Sequence, residues 1–153
     1  MPDARIFIDS TTFLYTIDDT EHGKRSAAQA WLNALAAGGC GVTSLQVLNE
    51  VASVITRKTR RFGSADPFFQ VDTFASFGSA PLSNSASLSA RNVFREHRYS
   101  WWDCLLLASA LEMQCTHFLS EDMSNGQRIA DESTLSLTII DPFAHSPEHI
   151  LSR

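Results

Sequence analysis

The amino-acid sequence predicts a three-layer α/β domain in which a mostly parallel central sheet of four to five strands is flanked by helices. Short apolar runs, typical of buried strands, occur near both ends of the chain, and longer segments with helical periodicity lie between them. Strands that are separated by helices favour a parallel sheet covered on both faces. The chain has 153 residues, of which 44% are hydrophobic, and we expect residues 1–153 to form a single domain.

Four apolar segments are predicted as strands, and Leu82 is predicted to belong to a vestigial edge strand. The four strands are Arg5–Asp9, Cys40–Thr43, Thr116–Leu119 and Leu135–Ile140. Two polar segments that contain glycine, Asp18–Lys24 and Met123–Ser133, are predicted as loops. The tail after the last strand is expected to be frayed.

Helices are identified by apolar residues that recur every 3.6 residues and by capping or terminating residues at their ends. They are predicted at Phe13–Ile17, at Ser26–Ala37, over a long stretch capped by Ser44, at Ser64–Phe77, at Ser83–His97, and from Asp103 onwards. We expect Phe68, Phe69 and Phe74 to anchor one of these helices in the core. In the next helix, Leu88, Val93 and Phe94 are expected to face inward.

Composition argues against several classes of protein. The three cysteines form no C-x-x-C pair, so neither a disulfide framework nor a zinc site is indicated. No run of apolar residues is long enough to span a membrane, and the N-terminal residues lack the layout of a signal peptide. We therefore expect a cytoplasmic protein with no membrane partner. The net charge of −5 is a weak objection to a nucleic-acid partner, because cations bound by a local carboxylate cluster would offset much of it.

The stretch Tyr99–Asp122 organises the predicted site. Asp103 falls in the first turn of a helix, where free backbone N–H groups favour a negative charge. The strand that follows ends at Ser120, Glu121 and Asp122, and ligands of open α/β sheets bind at this carboxyl edge. Adjacent strand residues point to opposite faces, so one of the two acids faces the site, and we favour Asp122.

Four carboxylates from distant parts of the sequence can converge at that edge: Asp9, Glu50, Asp103 and Asp122. Each also has an ordinary reading: Asp9 as a helix cap, Asp103 as a charge at a helix start, Asp122 as a loop acid, and Glu50, taken alone, as a solvated helix residue. Clustered carboxylates raise one another's pKa, and a protein gathers them where a cation is to be bound. Oxygen ligands without nearby His or Cys indicate Mg²⁺ or Mn²⁺. The natural chemistry of such a site is hydrolysis of a phosphodiester bond.

The segments around these four acids resemble the PIN-domain ribonucleases, and most closely the VapC-type toxins of type II toxin-antitoxin pairs. The matching segments, in order, are IFIDSTTFLY, VTSLQVLNEVASVITRK, YSWWDCLLLASALEMQC and FLSEDMSNG. Together they span nearly the whole chain. Two positions are worth noting: Thr11 stands where the family commonly has Asn, and Ser120 stands where Thr or Ser is usual.

The resemblance implies a Mg²⁺- or Mn²⁺-dependent endoribonuclease with a PIN-like fold. Asp9, Glu50, Asp103 and Asp122 look like the family's metal-binding and catalytic quartet, and Glu121 is a neighbour that could substitute or assist. The resemblance also implies a homodimer, an RNA substrate and a cognate VapB-type antitoxin. Exposed apolar residues on early helices are expected to serve that antitoxin, and the examples we expect are Phe13, Leu14 and Trp31.

Two other functions stay open. One is a PIN nuclease that processes RNA without an antitoxin. The other is a non-catalytic, Mg²⁺-binding α/β module, which would need a lysine on the last strand that the segment LSLTII lacks. A serine hydrolase is remote, because there is no G-x-S-x-G motif.

Two further features could contact RNA. The basic run Arg57, Lys58, Arg60 and Arg61 could follow a phosphate backbone, although a solvated helix face is the more ordinary reading. Trp101 and Trp102 precede Asp103, and either ring could stack on a base, although at least one is expected to anchor the start of the helix.

Overall fold

A five-stranded sheet lies at the centre of the computed structural model, which describes residues 3–62, 66–130 and 135–152. Its strands are β1 (Ile6–Ile8), β2 (Gly41–Val42), β3 (His117–Leu119), β4 (Arg128–Ala130) and β5 (Ser136–Ile140). Their spatial order is β2-β1-β3-β5-β4, and all neighbours are parallel except β4 and β5, which are antiparallel. The predicted fold class, a mostly parallel sheet flanked by helices, is confirmed.

Helices account for most of the remaining described residues. They are α1 (Ser10–Tyr15), α2 (His22–Gly38), α3 (Leu45–Arg57), α4 (Thr59–Phe62), α5 (Pro67–Phe74), α6 (Asn84–His97), α7 (Trp101–Glu112) and α8 (Pro147–Leu151), with a 3₁₀ turn at Ala75–Phe77. Within the described ranges, no helix combines the length and the apolar character that crossing a membrane requires.

The two central strands are covered on both faces. Ile6, Phe7 and Ile8 are consecutive in β1 and all fully buried. Because successive strand residues point to opposite faces, helices must pack against each side of the sheet. Phe7 stacks on Phe118 of the neighbouring strand β3, with 5.0 Å between the ring centroids. This pair fixes the strands whose carboxyl ends carry the first and last of the predicted site acids.

Side-chain caps set the start of the helices that lead into the site. Asp9 caps α1 by accepting a hydrogen bond from the backbone N–H of Thr12, and Ser44 caps α3 as predicted. Ser100 caps α7, its Oγ accepting from the Asp103 N–H at 3.2 Å. Each cap satisfies a backbone donor that the first helical turn leaves unpaired.

Helix α7 is buried on nearly every side. From Cys104 to Leu111, every residue except Ser109 is buried, as expected of a helix that is apolar all round. It packs mainly against α6, where small residues face it: Ala86, Ala90 and Val93. The larger Leu88 and Phe94 are exposed, so the expectation that they face inward is wrong.

The prediction of one helix at Ser64–Phe77 is corrected. Residues 64 and 65 lie outside the described ranges, and the rest form α5 followed by the 3₁₀ turn. Phe74 is buried against Phe13, with 4.5 Å between ring centroids, whereas Phe68 and Phe69 are exposed. A helix of eight residues presents only about two turns to the core, so it cannot bury all three aromatic rings.

The loop prediction for Met123–Ser133 is also wrong in part. Residues 128–130 form β4, while residues 131–133 lie outside the described ranges. Only Ile129 of β4 is buried, and its neighbours Arg128 and Ala130 are exposed. Three residues carry too short an alternation to be recognised, and the strand exists because it pairs with β5 in the sheet.

Three further segments differ from their predicted structure. Leu82 belongs to no strand, and an isolated parallel bridge joins Ser44 to Ala80 instead. Helix α2 begins inside the segment predicted as the loop Asp18–Lys24. The tail, expected to be frayed, contains α8, which Ser146 caps.

Candidate active site

All four predicted acids line one pocket at the carboxyl edge of the sheet. Asp9 directly follows β1, and Asp122 lies three residues after β3, its neighbour in the sheet. Glu50 comes from the second turn of α3, and Asp103 from the first turn of α7. The described residues that line the pocket are these four acids with Ser10, Thr11, Leu106, Phe118, Ser120 and Met123. The four acids, which lie up to 113 positions apart in sequence, thus surround one small space.

Asp9 is the most deeply buried of the four acids. Its carboxylate is only 8% exposed and accepts hydrogen bonds from the N–H of Thr12 at 3.0 Å and from the Thr12 hydroxyl at 2.7 Å. Burial raises the pKa of Asp9 to about 7, an effect that the two Thr12 hydrogen bonds oppose and that the charges of Asp122 and Glu50 increase. The energetic cost of ionising this carboxyl group is therefore high in the metal-free protein.

Glu50 and Asp103 are coupled to the same cluster. Burial raises the pKa of Glu50, hydrogen bonds from Gln46 and Ser10 lower it, and the charge of Asp103 raises it. Burial likewise raises the pKa of Asp103, a hydrogen bond with Ser100 lowers it, and the charge of Asp122 raises it. Each acid thus repels at least one other, and no Lys, Arg or His is among the described residues that line the pocket.

Two residues that support the acids were not anticipated from the sequence. Gln46 donates a hydrogen bond from Nε2 to the Glu50 carboxylate at 3.2 Å and another to the backbone carbonyl of Trp102, also at 3.2 Å. It lies four residues before Glu50 on the same helix, and that i,i+4 spacing was the signal that could have revealed it. The second residue is Thr12, which donates from its backbone N–H and from its hydroxyl to the Asp9 carboxylate.

Glu121 is directed elsewhere. It forms an ion pair with Lys24 of α2, and it is not among the described residues that line the pocket. The hydrogen bond with Glu121 is the main cause that raises the pKa of Lys24. The neighbouring Ser120 is buried, and its Oγ accepts from the Met123 N–H at 3.2 Å, which shapes the turn that carries Asp122.

The donor set has the chemistry of a site for a hard divalent cation. All four acids supply carboxylate oxygens, and their mutual repulsion has no counter-charge in the pocket. Among the described residues, no group of three or more His, Cys, Asp and Glu side chains is arranged closely enough to hold a metal ion as it stands. The acids therefore surround the pocket without being closed into a ligand sphere.

Two residues of the basic run are bonded within the protein. Arg61 forms an ion pair with the buried Asp18 at 2.7 Å, and Arg57 donates from Nε to the carbonyl of Ser53 at 3.0 Å.

Phe13 and Trp31, which were expected to be exposed for an antitoxin, are fully buried, so that expectation is wrong for both. Aromatic side chains at these early positions stabilise the core instead.

An α/β sheet with four carboxylates gathered at its carboxyl edge defines a class of domain with a potential cation site. The family model of the PIN domain matches residues 6–128, which include all four acids. The chain therefore belongs to the PIN domain family.

Three solved structures are similar in fold. A toxin-antitoxin complex from Klebsiella pneumoniae is 14% identical, with a TM-score of 0.56 over 78% of this chain and 87% of that chain. VapC20 from Mycobacterium tuberculosis, a toxin that cleaves the sarcin-ricin loop, is 17% identical, with a TM-score of 0.51 over 74% and 86%. FitAB bound to an IR36 DNA fragment is 11% identical, with a TM-score of 0.59 over 94% and 99%. At these identities the likeness shows the fold alone, and no curated protein sequence matches this chain.

Proposed function

We propose that this protein is a metal-dependent endoribonuclease that acts as the toxin of a toxin-antitoxin pair. The observation that carries the proposal is the pocket in which Asp9, Glu50, Asp103 and Asp122 meet without a counter-charge. These four residues would hold Mg²⁺ or Mn²⁺. A cation bound there would polarise the phosphoryl oxygen of the scissile bond and lower the pKa of an attacking water.

The side chains around the acids have distinct roles in this proposal. Thr12 holds Asp9 through two hydrogen bonds, so that the carboxylate keeps one orientation. Gln46 positions Glu50 from the preceding turn of α3. Without a cation, four carboxylates repel the phosphate of RNA, so productive binding of the substrate requires the metal.

The toxin assignment is supported by similarity of fold rather than by a residue of this chain. The Klebsiella pneumoniae structure is a toxin-antitoxin complex, and VapC20 is a toxin that cleaves an RNA loop. We propose by extension that a VapB-type antitoxin binds this protein and that the protein forms a homodimer. The corresponding experiment is expression of the protein in a bacterial host, where a toxin should arrest growth. If a short reading frame lies next to the gene, co-expression of its product should restore growth when that product is the antitoxin, and growth that is never arrested would count against the toxin assignment.

The nuclease proposal is tested by cleavage of a mixed RNA pool by the purified protein with Mg²⁺, with Mn²⁺ and with EDTA. Wild-type protein is compared with Asp9→Asn and Asp103→Asn, and Glu112→Gln serves as a control, since Glu112 lies at the far end of α7. Cleavage that needs a divalent cation and is lost only in the two site variants supports the proposal. Equal cleavage by wild type and both site variants, with circular dichroism showing that all are folded, would refute it.

A further inference from the structure

A groove opens directly beside the acidic pocket. It is an open depression of about 430 Å³ between α3 and the start of α7, and the described residues that line it are Gln46, Asn49, Glu50, Ser53 and Trp102. Glu50 belongs to both the groove and the pocket, so a molecule in the groove would lie next to the proposed reaction centre.

Trp102 is the one aromatic residue among the described residues that line this groove. Its side chain is 63% exposed, although it immediately precedes a site acid in a helix that is otherwise deeply buried. The backbone carbonyl of Trp102 is held by Gln46, so the start of α7 is fixed relative to α3. A large aromatic ring on a fixed backbone, open to solvent beside a polar site, is a surface suited to stacking.

The amides of the groove add polar groups of neutral charge. Gln46 uses Nε2 for the Glu50 carboxylate and the Trp102 carbonyl, and its buried Oε1 has no hydrogen-bond partner among the described residues. Asn49 donates from Nδ2 to the carbonyl of Leu45 at 3.0 Å. The buried Gln46 oxygen is closed to a ligand in the groove, so the exposed Asn49 is the amide that such a ligand can reach.

The chemistry of the groove selects one kind of ligand. No Lys or Arg is among its described lining residues, so it does not suit a phosphate group. An exposed indole with neighbouring amides is the combination that binds unpaired nucleobases, by stacking on the ring and by hydrogen bonds to the base edge. We propose that this groove is a subsite for one unpaired base of the RNA next to the scissile bond, with Trp102 stacking on that base.

This inference rests on the proposed endoribonuclease function and adds the form of the substrate. A base inside a duplex is already stacked and paired, so its face is not available to Trp102. The subsite therefore directs cleavage to single-stranded segments and loops.

The test compares Trp102→Ala and Trp102→Phe with Trp101→Ala. Trp101 is the matched control, because it is the same residue type at the adjacent position of α7, is 39% exposed, and is not among the described residues lining the groove. Affinity for short, cleavage-resistant single-stranded oligonucleotide analogues of RNA, one for each base, is measured by fluorescence anisotropy with Mg²⁺ on the otherwise wild-type background. Cleavage of the mixed RNA pool is measured on the same background.

We expect Trp102→Ala to weaken binding about tenfold, within the range reported for loss of one base–aromatic stack, and Trp102→Phe to restore most of it. Trp101→Ala should bind as the parent does. If Trp102→Ala binds and cleaves RNA like Trp101→Ala, the subsite is refuted while the nuclease function stands. If the wild type cleaves nothing, the nuclease proposal fails, and the anisotropy series alone decides whether Trp102 contacts RNA.

Discussion

At the scale of single residues, the strongest conflict in the structure is the burial of Asp9. Its pKa is about 7 in the metal-free protein, compared with an ordinary value of 3.8, so the folded state retains a proton that the unfolded chain loses. A raised folded pKa means that Asp9 contributes stability below about pH 4, and that this contribution is lost as the pH rises towards 7. The charged carboxylate therefore destabilises the metal-free protein at neutral pH.

We predict that Asp9→Asn raises the melting temperature in EDTA at pH 8. Asparagine removes the buried charge but keeps an oxygen that can accept from Thr12, so the cap of α1 is preserved. Asp9→Ala removes charge and cap together and should be less stable than Asp9→Asn by about 1 kcal/mol. Mg²⁺ should raise the melting temperature of the wild type more than that of either variant, as mass action requires when the cation binds only the folded site. A lower melting temperature for Asp9→Asn than for wild type in EDTA would contradict this.

The buried carboxylate of Asp18 shows the opposite effect, because its ion pair with Arg61 and its other hydrogen bonds lower its pKa. Asp18 is 1% exposed and Arg61 is 39% exposed, and they are joined at 2.7 and 2.9 Å. Burial acts to raise the pKa of Asp18, but hydrogen bonds from Arg61 and Thr20 and the charge of Arg61 outweigh it and lower the pKa to about 2. A lowered folded pKa gives stability that is present above about pH 4 and lost as the pH falls towards 2.

We therefore predict that Arg61→Ala is more destabilising than Asp18→Asn at pH 7. The first variant leaves a buried carboxylate unpaired, which costs about 3 kcal/mol, whereas the second leaves a cation that water can reach. Urea unfolding at pH 7 measures the difference. When the series is repeated between pH 4 and pH 2, the difference in the free energy of unfolding between wild type and Arg61→Ala should become smaller. A difference that stays constant would argue against the ion pair.

Among the site residues, some could be predicted from the sequence and others could not. Asp9, Asp103 and Asp122 mark the end of an apolar run or the start of a helix, so local pattern alone places them at one edge of a sheet. Glu50 lies within a helix, where a lone glutamate is usually solvated, so its place in the predicted site followed from the three aspartates and from the resemblance of the surrounding segment. The contact of Gln46 with Glu50 could have been inferred from their i,i+4 spacing, whereas its hydrogen bond to the Trp102 carbonyl depends on the placement of α3 beside α7, which the sequence does not show.

At the scale of elements, the helix starts that carry the acids depend on single hydroxyl groups. We predict that Ser100→Ala destabilises the protein by about 1 kcal/mol and also reduces RNA cleavage, because Ser100 caps the first turn of α7 and hydrogen-bonds to Asp103. Ser100→Thr should restore both properties.

The matched control for this prediction is Ser83→Ala. Ser83 caps α6 in the same way, its Oγ accepting from the Ala86 N–H at 3.0 Å, but α6 contributes no residue to the acidic pocket. Its loss should lower stability by a similar amount and leave cleavage at the wild-type rate under conditions where both proteins are folded. Equal losses of cleavage in the two alanine variants would mean that Ser100 matters only for stability.

The elements that sequence patterns missed share a physical cause. β4 and α8 are three and five residues long, so they are stabilised by the sheet or by neighbouring packing and not by a pattern of their own. The opposite error was to expect Phe68 and Phe69 in the core. Helix α5 has only eight residues and buries Phe74 alone of its three phenylalanines. Long elements such as α3 and α7 were predicted correctly because a sustained apolar stripe or run leaves few alternatives.

At the scale of the whole molecule, the net charge of −5 opposes binding of a polyanion. We predict that a cleavage-resistant single-stranded RNA analogue binds the wild-type protein at least about tenfold more tightly in Mg²⁺ than in EDTA with KCl at matched ionic strength. The matched salt separates specific neutralisation of the pocket from general screening. Equal affinity in the two buffers would show that the acidic cluster does not govern access of the RNA.

The outermost strands of the sheet have one more consequence, for behaviour at high concentration. The outer strands are β2, with two residues, and β4, with three. β4 runs antiparallel to its neighbour β5, and its Arg128 is exposed. A short, charged outer strand offers few unpaired backbone groups on which a strand of another molecule could assemble. The apolar strands β1, β3 and β5 lie in the interior of the sheet, which protects a concentrated solution of the folded protein against growth of β-aggregates.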